Sequence, residues 1–69
     1  MERRFVKEIK KDSIRLWIME EGEFVVIYFY HNNFPIPIDK EVRANLEQAE
    51  QLCQEFLYPS SVENIQLAV

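Results

Sequence analysis

The sequence has one cysteine, one histidine and one glycine among its 69 residues. Because a disulfide needs two cysteines, no bridge can form within the chain. A structural zinc ion usually takes four nitrogen or sulfur ligands, and Cys53 and His31 supply two at most. Proteins this short often depend on a disulfide, a metal ion or association for their stability. Of these three aids, only association with another chain remains.

Long apolar runs are also missing. The main apolar stretch, residues 24–30, is far shorter than the roughly 20 residues that a membrane-spanning helix needs. The charged start of the chain, residues 1–4, does not resemble the apolar core of a signal peptide. We therefore expect a cytoplasmic protein without membrane contact. A hydrophobic fraction of 48% favours a folded chain over a disordered one, and the length predicts a single small domain, residues 1–69.

The net charge of −4 is unevenly distributed. Residues 1–15 carry six basic and three acidic side chains, whereas the remaining residues carry two basic and nine acidic ones. Such asymmetry can steer a partner or orient two copies, although two solvated surfaces are the simpler interpretation.

Residues 14–30 predict a hairpin of two strands. A two-residue loop at Glu21-Gly22 suits the turns that connect such strands, and it would pair Ile18 with Val25. Because side chains alternate across a strand, this register creates one aliphatic face and one mainly aromatic face. The aliphatic face carries Ile14, Leu16, Ile18, Val25, Ile27 and Phe29, and the aromatic face carries Arg15, Trp17, Met19, Phe24, Val26, Tyr28 and Tyr30.

Residues 4–10 allow a helix or a strand. Phe5 and Ile9 lie four residues apart, as on one face of a helix. As a strand, the segment would turn at residues 10–13 and pair Glu8 with Arg15, with Val6 on the aromatic face and Phe5 on the aliphatic one. We favour the strand, because register, charge pairing and apolar pattern agree.

Segment 34–38 alternates apolar residues with Pro35 and Pro37, which predicts an extended connector or an edge strand.

Asp39 is a favourable N-cap for a helix that ends before Pro59. Apolar residues recur along this helix at intervals of three and four, as in an amphipathic helix. The stripe consists of Val42, Leu46, Ala49, Cys53 and Phe56, widened by Leu52 and Leu57. The tail, residues 60–69, suits a short strand or a helical turn.

The elements together predict an α+β protein with an antiparallel sheet of three to four strands, in the order β-β-β-extension-α-tail. One long amphipathic helix packs on the aliphatic face of the sheet. Since a single helix covers only one face, the aromatic face is left open.

No combination of residues points to catalysis. The chain has no glycine-rich phosphate loop, no CxxC pair and no HExxH motif. Cys53 falls in the apolar stripe, where a buried and unreactive thiol is expected, and His31 beside two asparagines is typical of a turn. We predict no enzyme activity, no cofactor, no metal site and no catalytic residue.

The aromatic face suggests a function in binding. Trp, Tyr, Phe, Met and Arg are the residues enriched at the centres of protein interfaces. We therefore predict a non-enzymatic interaction module that forms a homodimer or binds a protein partner, as an accessory subunit or regulator. The predicted interface consists of Val6, Arg15, Trp17, Met19, Phe24, Val26 and Tyr28.

Single-stranded nucleic acid is the alternative partner for this face. Trp17, Phe24 and Tyr28 could stack on bases while Arg4 and Arg15 contact phosphates. The negative net charge opposes a polyanion, so this alternative ranks second.

Overall fold

The computed structural model of the protein describes residues 2–58, which form a four-stranded antiparallel sheet with one helix on one of its faces. The elements are β1 (Arg3–Lys11), β2 (Ile14–Glu21), β3 (Phe24–His31), β4 (Asp39–Arg43) and α1 (Leu46–Leu57). The strands lie in chain order, so each one pairs with the next. The predicted α+β class is confirmed, although the helix has only 12 residues. The tail for which a short strand or a helical turn was predicted lies outside the described residues. Within residues 2–58, no helix is long and apolar enough to cross a bilayer.

The loop between β2 and β3 is Gly22-Glu23, one residue later than predicted. Gly22 has a φ of 64°, which glycine adopts without the steric cost of a Cβ atom. As a result, Ile18 pairs with Ile27 instead of Val25. A shift of two residues leaves each side chain on the same side of the sheet. The predicted faces of β2 and β3 are therefore correct although the predicted pairs are not.

Strand β1 forms as predicted, but its pairing with β2 shifts between Phe5 and Lys7. Val6 is the extra, bulged residue at this point. Val6 packs against the core on the helix side of the sheet, and the ring of Phe5 lies against Trp17 on the aromatic side. The predicted faces of Val6 and Phe5 are therefore wrong, because a bulge reverses the alternation of every residue beyond it.

Strand β4 consists of residues that were expected to begin the helix. Val42 pairs with Val26 of β3 and lies half-exposed on the aromatic side. Asp39 pairs with Phe29, so it belongs to the strand and does not cap the helix. The predictions for Asp39 and Val42 are wrong, because pairing with the free edge of β3 satisfies backbone groups that a helix start would leave open.

Helix α1 begins at Leu46, after Asn45 as its N-cap. The side-chain oxygen of Asn45 accepts a hydrogen bond from the backbone N–H of Gln48 at 2.9 Å. This bond satisfies one of the four backbone donors that every helix N-terminus leaves free.

The segment before β4 is the predicted connector rather than an edge strand. The backbone N–H of Ile38 donates to the carbonyl of Phe29 at 2.7 Å and so holds the connector to β3.

The core lies between α1 and the aliphatic face of the sheet. Its buried residues are Leu16, Ile18, Val25, Ile27 and Phe29 from the sheet, with Ala49, Cys53 and Leu57 from the helix. Leu46 and Leu52 pack around this cluster, as the predicted stripe requires. Phe56 contributes less than predicted, because its ring contacts Phe29 but remains half-exposed.

Candidate interaction surface

The face of the sheet opposite α1, which we call the open face, has no helix over it within residues 2–58. Strand alternation together with the bulge in β1 places side chains from all four strands on it. These are Arg3, Phe5, Glu8 and Lys10 from β1, Arg15, Trp17, Met19 and Glu21 from β2, Phe24, Val26, Tyr28 and Tyr30 from β3, and Lys40 and Val42 from β4. The open face therefore contains six of the seven predicted interface residues, and Val6 is the exception.

Three aromatic rings form a continuous row across β1, β2 and β3. The centroid of the Trp17 ring lies 5.5 Å from that of Phe5 in an edge-on arrangement, and 5.1 Å from that of Tyr30. Aromatic pairs at these separations contribute roughly 0.5–1.5 kcal/mol beyond the area that they bury. Phe5 was missed as a member of this surface. Only the shift in the β1 register reveals it.

The exposed part of the open face lies at its two sides. Phe5 is 50% exposed at the β1 side, and Phe24 is 55% exposed at the start of β3. Val26, two residues after Phe24 and near the centre of the sheet, is only 5% exposed. A partner would therefore contact the phenyl rings and Trp17 directly. Val26 lies on the same face but offers a partner almost no exposed surface.

Glu8 and Arg15 fix the position of the central ring. The indole N–H of Trp17 donates to Glu8 Oε2 at 2.7 Å, and the Arg15 guanidinium lies 3.6 Å from the same carboxylate. Arg15 also lies over the ring of Tyr30, 4.8 Å from its centroid. Because the indole donor already has an acceptor, Trp17 can be buried by a partner without losing a hydrogen bond to water.

Arg15 also forms hydrogen bonds to the loop that follows β3. Its Nε donates to the carbonyl of Asn32 at 3.1 Å, and Nη2 donates to that of Phe34 at 3.2 Å. These bonds tie the loop after β3 to the sheet. Little of the guanidinium is left to contact a ligand, so Arg15 serves the shape of the open face more than it offers a charge to a partner.

A second polar group lies at the other end of the sheet. The Tyr28 hydroxyl donates to Glu21 Oε2 at 2.5 Å, and Arg3 Nε donates to the same oxygen at 3.0 Å. The hydrogen bond between Tyr28 and Glu21 lowers the pKa of the Glu21 carboxyl and raises the pKa of the Tyr28 hydroxyl. Both shifts favour a charged Glu21 and a neutral Tyr28 at neutral pH.

The bulge also exchanges two arginines. Arg4 pairs with Glu20 and lies on the helix side of the sheet, 2.5 Å from its carboxylate. Arg3 lies on the open face instead, opposite Glu21, whereas strand alternation without the bulge would place Arg4 on that face. The predicted position of Arg4 on the aromatic face is therefore wrong.

Charge is divided between the two sides of the sheet. The open face carries four basic side chains and two acidic ones, although the whole chain has a net charge of −4. The sequence of α1 contains three glutamates and no basic residue. A ligand approaching the open face therefore meets a locally positive surface, and one approaching the helix meets a negative surface.

Cys53 lies at the core of the protein and is fully buried. Burial raises the pKa of its thiol, because the charged thiolate would lose its hydration. The thiol is therefore protonated and shielded, which agrees with the prediction that Cys53 is structural. Among residues 2–58, no three His, Cys, Asp or Glu side chains are grouped as metal ligands.

Comparison of the chain with protein-family models, with curated proteins and with solved structures found no match.

Proposed function

We propose that this protein is a non-enzymatic interaction module that forms a homodimer through the open face, and that it acts as an accessory subunit or regulator. The observation that supports the proposal is the row of aromatic rings on a sheet face without a helix over it. Phe5 and Phe24 each leave half of their surface in water. At about 25 cal/mol per Å² and roughly 100 Å² per ring, covering them is worth about 2.5 kcal/mol each.

The dimensions of the open face fit a small dimer. β2 and β3 have eight residues each, and with β1 and β4 they form a sheet four strands wide. Strand spacing and rise give a flat area of roughly 500 Å² per copy, so about 1,000 Å² in total before side-chain relief is counted. Stable interfaces bury roughly 1,200–2,000 Å². The whole face is therefore needed, as when two sheets stack with nearly aligned strands.

Phe24 provides the sharpest test of the dimer. Its ring is exposed at the start of β3 and takes no part in the core cluster. We expect Phe24→Glu to yield a monomer that keeps its helix signal in circular dichroism, because a charge would be buried without a partner at the interface. Ile36→Glu is the matched control, since Ile36 is exposed on the connector and belongs to none of the four strands that form the open face.

Sedimentation of the two variants and the wild type separates the outcomes. A dimer in the wild type and in Ile36→Glu, with a folded monomer in Phe24→Glu, supports the proposal. A Phe24→Glu variant that dimerises as well as the wild type would move the interface away from the open face.

Single-stranded nucleic acid is a second candidate, favoured by the excess of basic side chains beside the rings. Because Arg15 is engaged within the molecule, the other basic groups of the open face, Lys10, Lys40 and Arg3, would contact the phosphates. The two candidates respond to salt in opposite directions. Binding of a fluorescent oligonucleotide would weaken steeply with added salt, because phosphate contacts release counterions. Two copies of a locally positive face would associate as well or better, because salt screens their repulsion.

A further inference from the structure

A second apolar surface lies on the helix side of the sheet, in the groove between β4 and α1. Its floor is formed by apolar side chains of β3, α1 and the connector before β4, and its volume is about 300 Å³. The residues that line it are Phe29, Ile38, Asp39, Glu41, Arg43, Leu52 and Phe56. The groove is separated from the open face by the full thickness of the sheet.

The walls of the groove are held in place by contacts within the molecule. Phe56 stands edge-on against Phe29 with ring centroids 5.0 Å apart, and the backbone of Ile38 is hydrogen-bonded to that of Phe29. Even so, Phe56 is 48% exposed and Ile38 is 59% exposed. The groove is therefore preformed and offers apolar surface to a ligand without rearrangement.

The rim of the groove is acidic. Strand alternation directs Asp39 and Glu41 to the helix side of β4, and the acidic face of α1 flanks the other wall, with Glu55 beside Leu52. Arg43 is the one basic residue in the lining, and it is engaged with the Glu41 carboxylate and the Val42 carbonyl. Glu41 and Arg43 offset each other, so the excess negative charge of the rim comes from Asp39 and Glu55. The C-terminal end of α1 adds nothing to this negative charge, because the Lys11 ammonium donates to the Leu57 carbonyl there at 2.6 Å.

We propose that this groove binds a basic amphipathic segment of a protein partner. Apolar side chains on one face of the segment would cover Ile38, Leu52 and Phe56, and lysine or arginine side chains beside them would meet the acidic rim. Groove and open face lie on opposite sides of the sheet, so this binding does not depend on the dimer and leaves the open face free.

Two synthetic peptides of about 14 residues test the proposal, since this length gives roughly four turns of helix. They share the same leucine positions, and their remaining positions are lysine and arginine in one peptide and glutamate in the other. Both are titrated against the full-length protein by fluorescence anisotropy and followed in two-dimensional NMR spectra. We expect only the basic peptide to bind, with signal changes centred on Ile38, Leu52 and Phe56.

Two variants locate the site, each with a matched control. Ile38→Ser should weaken the binding of the basic peptide at least several-fold, whereas Ile36→Ser, on the same connector but outside the groove, should not. Glu55→Gln should weaken it about two- to fivefold, the range of one exposed charge pair, whereas Glu23→Gln in the β2–β3 loop should leave it unchanged.

Three results would overturn the proposal. The two peptides could bind equally, which would remove the role of the acidic rim. The signal changes could instead fall on Phe24 and Trp17, which would assign the peptide to the open face. Nuclear Overhauser contacts between the Phe56 ring and residues 59–69 in the free protein would assign the groove to the protein's own chain.

Discussion

The replacement of Ile27 by alanine tests which face of the sheet the helix covers. Ile27 is fully buried in the middle of β3, paired with Ile18 on one side and Glu41 of β4 on the other. Removing a large buried aliphatic side chain costs about 2–5 kcal/mol, because transfer energy is lost and a cavity remains. A 69-residue domain has only about 3–10 kcal/mol in total. We therefore expect Ile27→Ala to lose about a fifth or more of the free energy of unfolding.

Phe24→Ala is the comparison, because it removes a larger side chain from the same strand but from the opposite face. Phe24 is mostly exposed, so its loss should cost the monomer less than about 1 kcal/mol. Urea unfolding of dilute protein, followed by circular dichroism, gives both values. With a slope of about 1 kcal/mol per molar for a domain of this size, Ile27→Ala should lower the midpoint by roughly 2 M or more. Equal losses for the two variants would contradict the placement of α1.

Three further changes test individual contacts. Asn45→Ala should destabilise the protein by about 0.5–2 kcal/mol through the lost N-cap, whereas Asp39→Ala, which removes the N-cap that the sequence suggested, should change helix stability little in thermal melts. Tyr28→Phe should raise the pKa of Glu21 toward its ordinary value, measured by NMR titration. Because that pKa is lowered in the folded protein, Glu21 stabilises it above the ordinary carboxyl pKa, and this contribution is lost as the pH falls through the lowered value. Cys53 should react slowly with a thiol reagent in native buffer and rapidly in denaturant, and fast native labelling would place it at the surface.

The two faces of the central hairpin could be predicted from the sequence, but its register could not. Alternation in residues 14–30 defines which side chains share a side, and any register shifted by an even number keeps those sides. The loop residues decide between such registers. Glycine is the one residue in the loop that takes a positive φ at no cost, but it can occupy either central position, and the alternation does not say which.

The candidate surface was predictable only as far as the strands stay regular. The bulge at Val6 moves Phe5 and Arg3 onto the open face and removes Val6 and Arg4 from it. Alternation contains no signal for such an extra residue, because both sides of β1 carry apolar and charged residues. The row formed by Phe5, Trp17 and Tyr30 therefore appears only once the strands are paired.

Strand β4 was missed because its sequence is compatible with two structures. Asp39 followed by Lys40 and Glu41 is a good helix start by local preference, and Val42 fits the apolar stripe of the following helix. The edge of β3 decides the outcome, because it offers backbone partners to residues 39–43. Local preference is weak and such pairing overrides it. From Leu46 onward the stripe was predicted correctly, apart from the half-exposed Phe56, because those residues do form the helix.

Sedimentation equilibrium of the wild-type protein over a wide concentration range tests the central claim, self-association through the open face, most directly. The range from roughly 5 to 500 µM spans the dissociation constants expected for a small interface. We predict a mass that rises toward about twice the 8.3 kDa of one chain. The rings of Phe5 and Phe24 should become less accessible to solvent as the dimer forms. A mass that stays at 8.3 kDa over the whole range would contradict the claim.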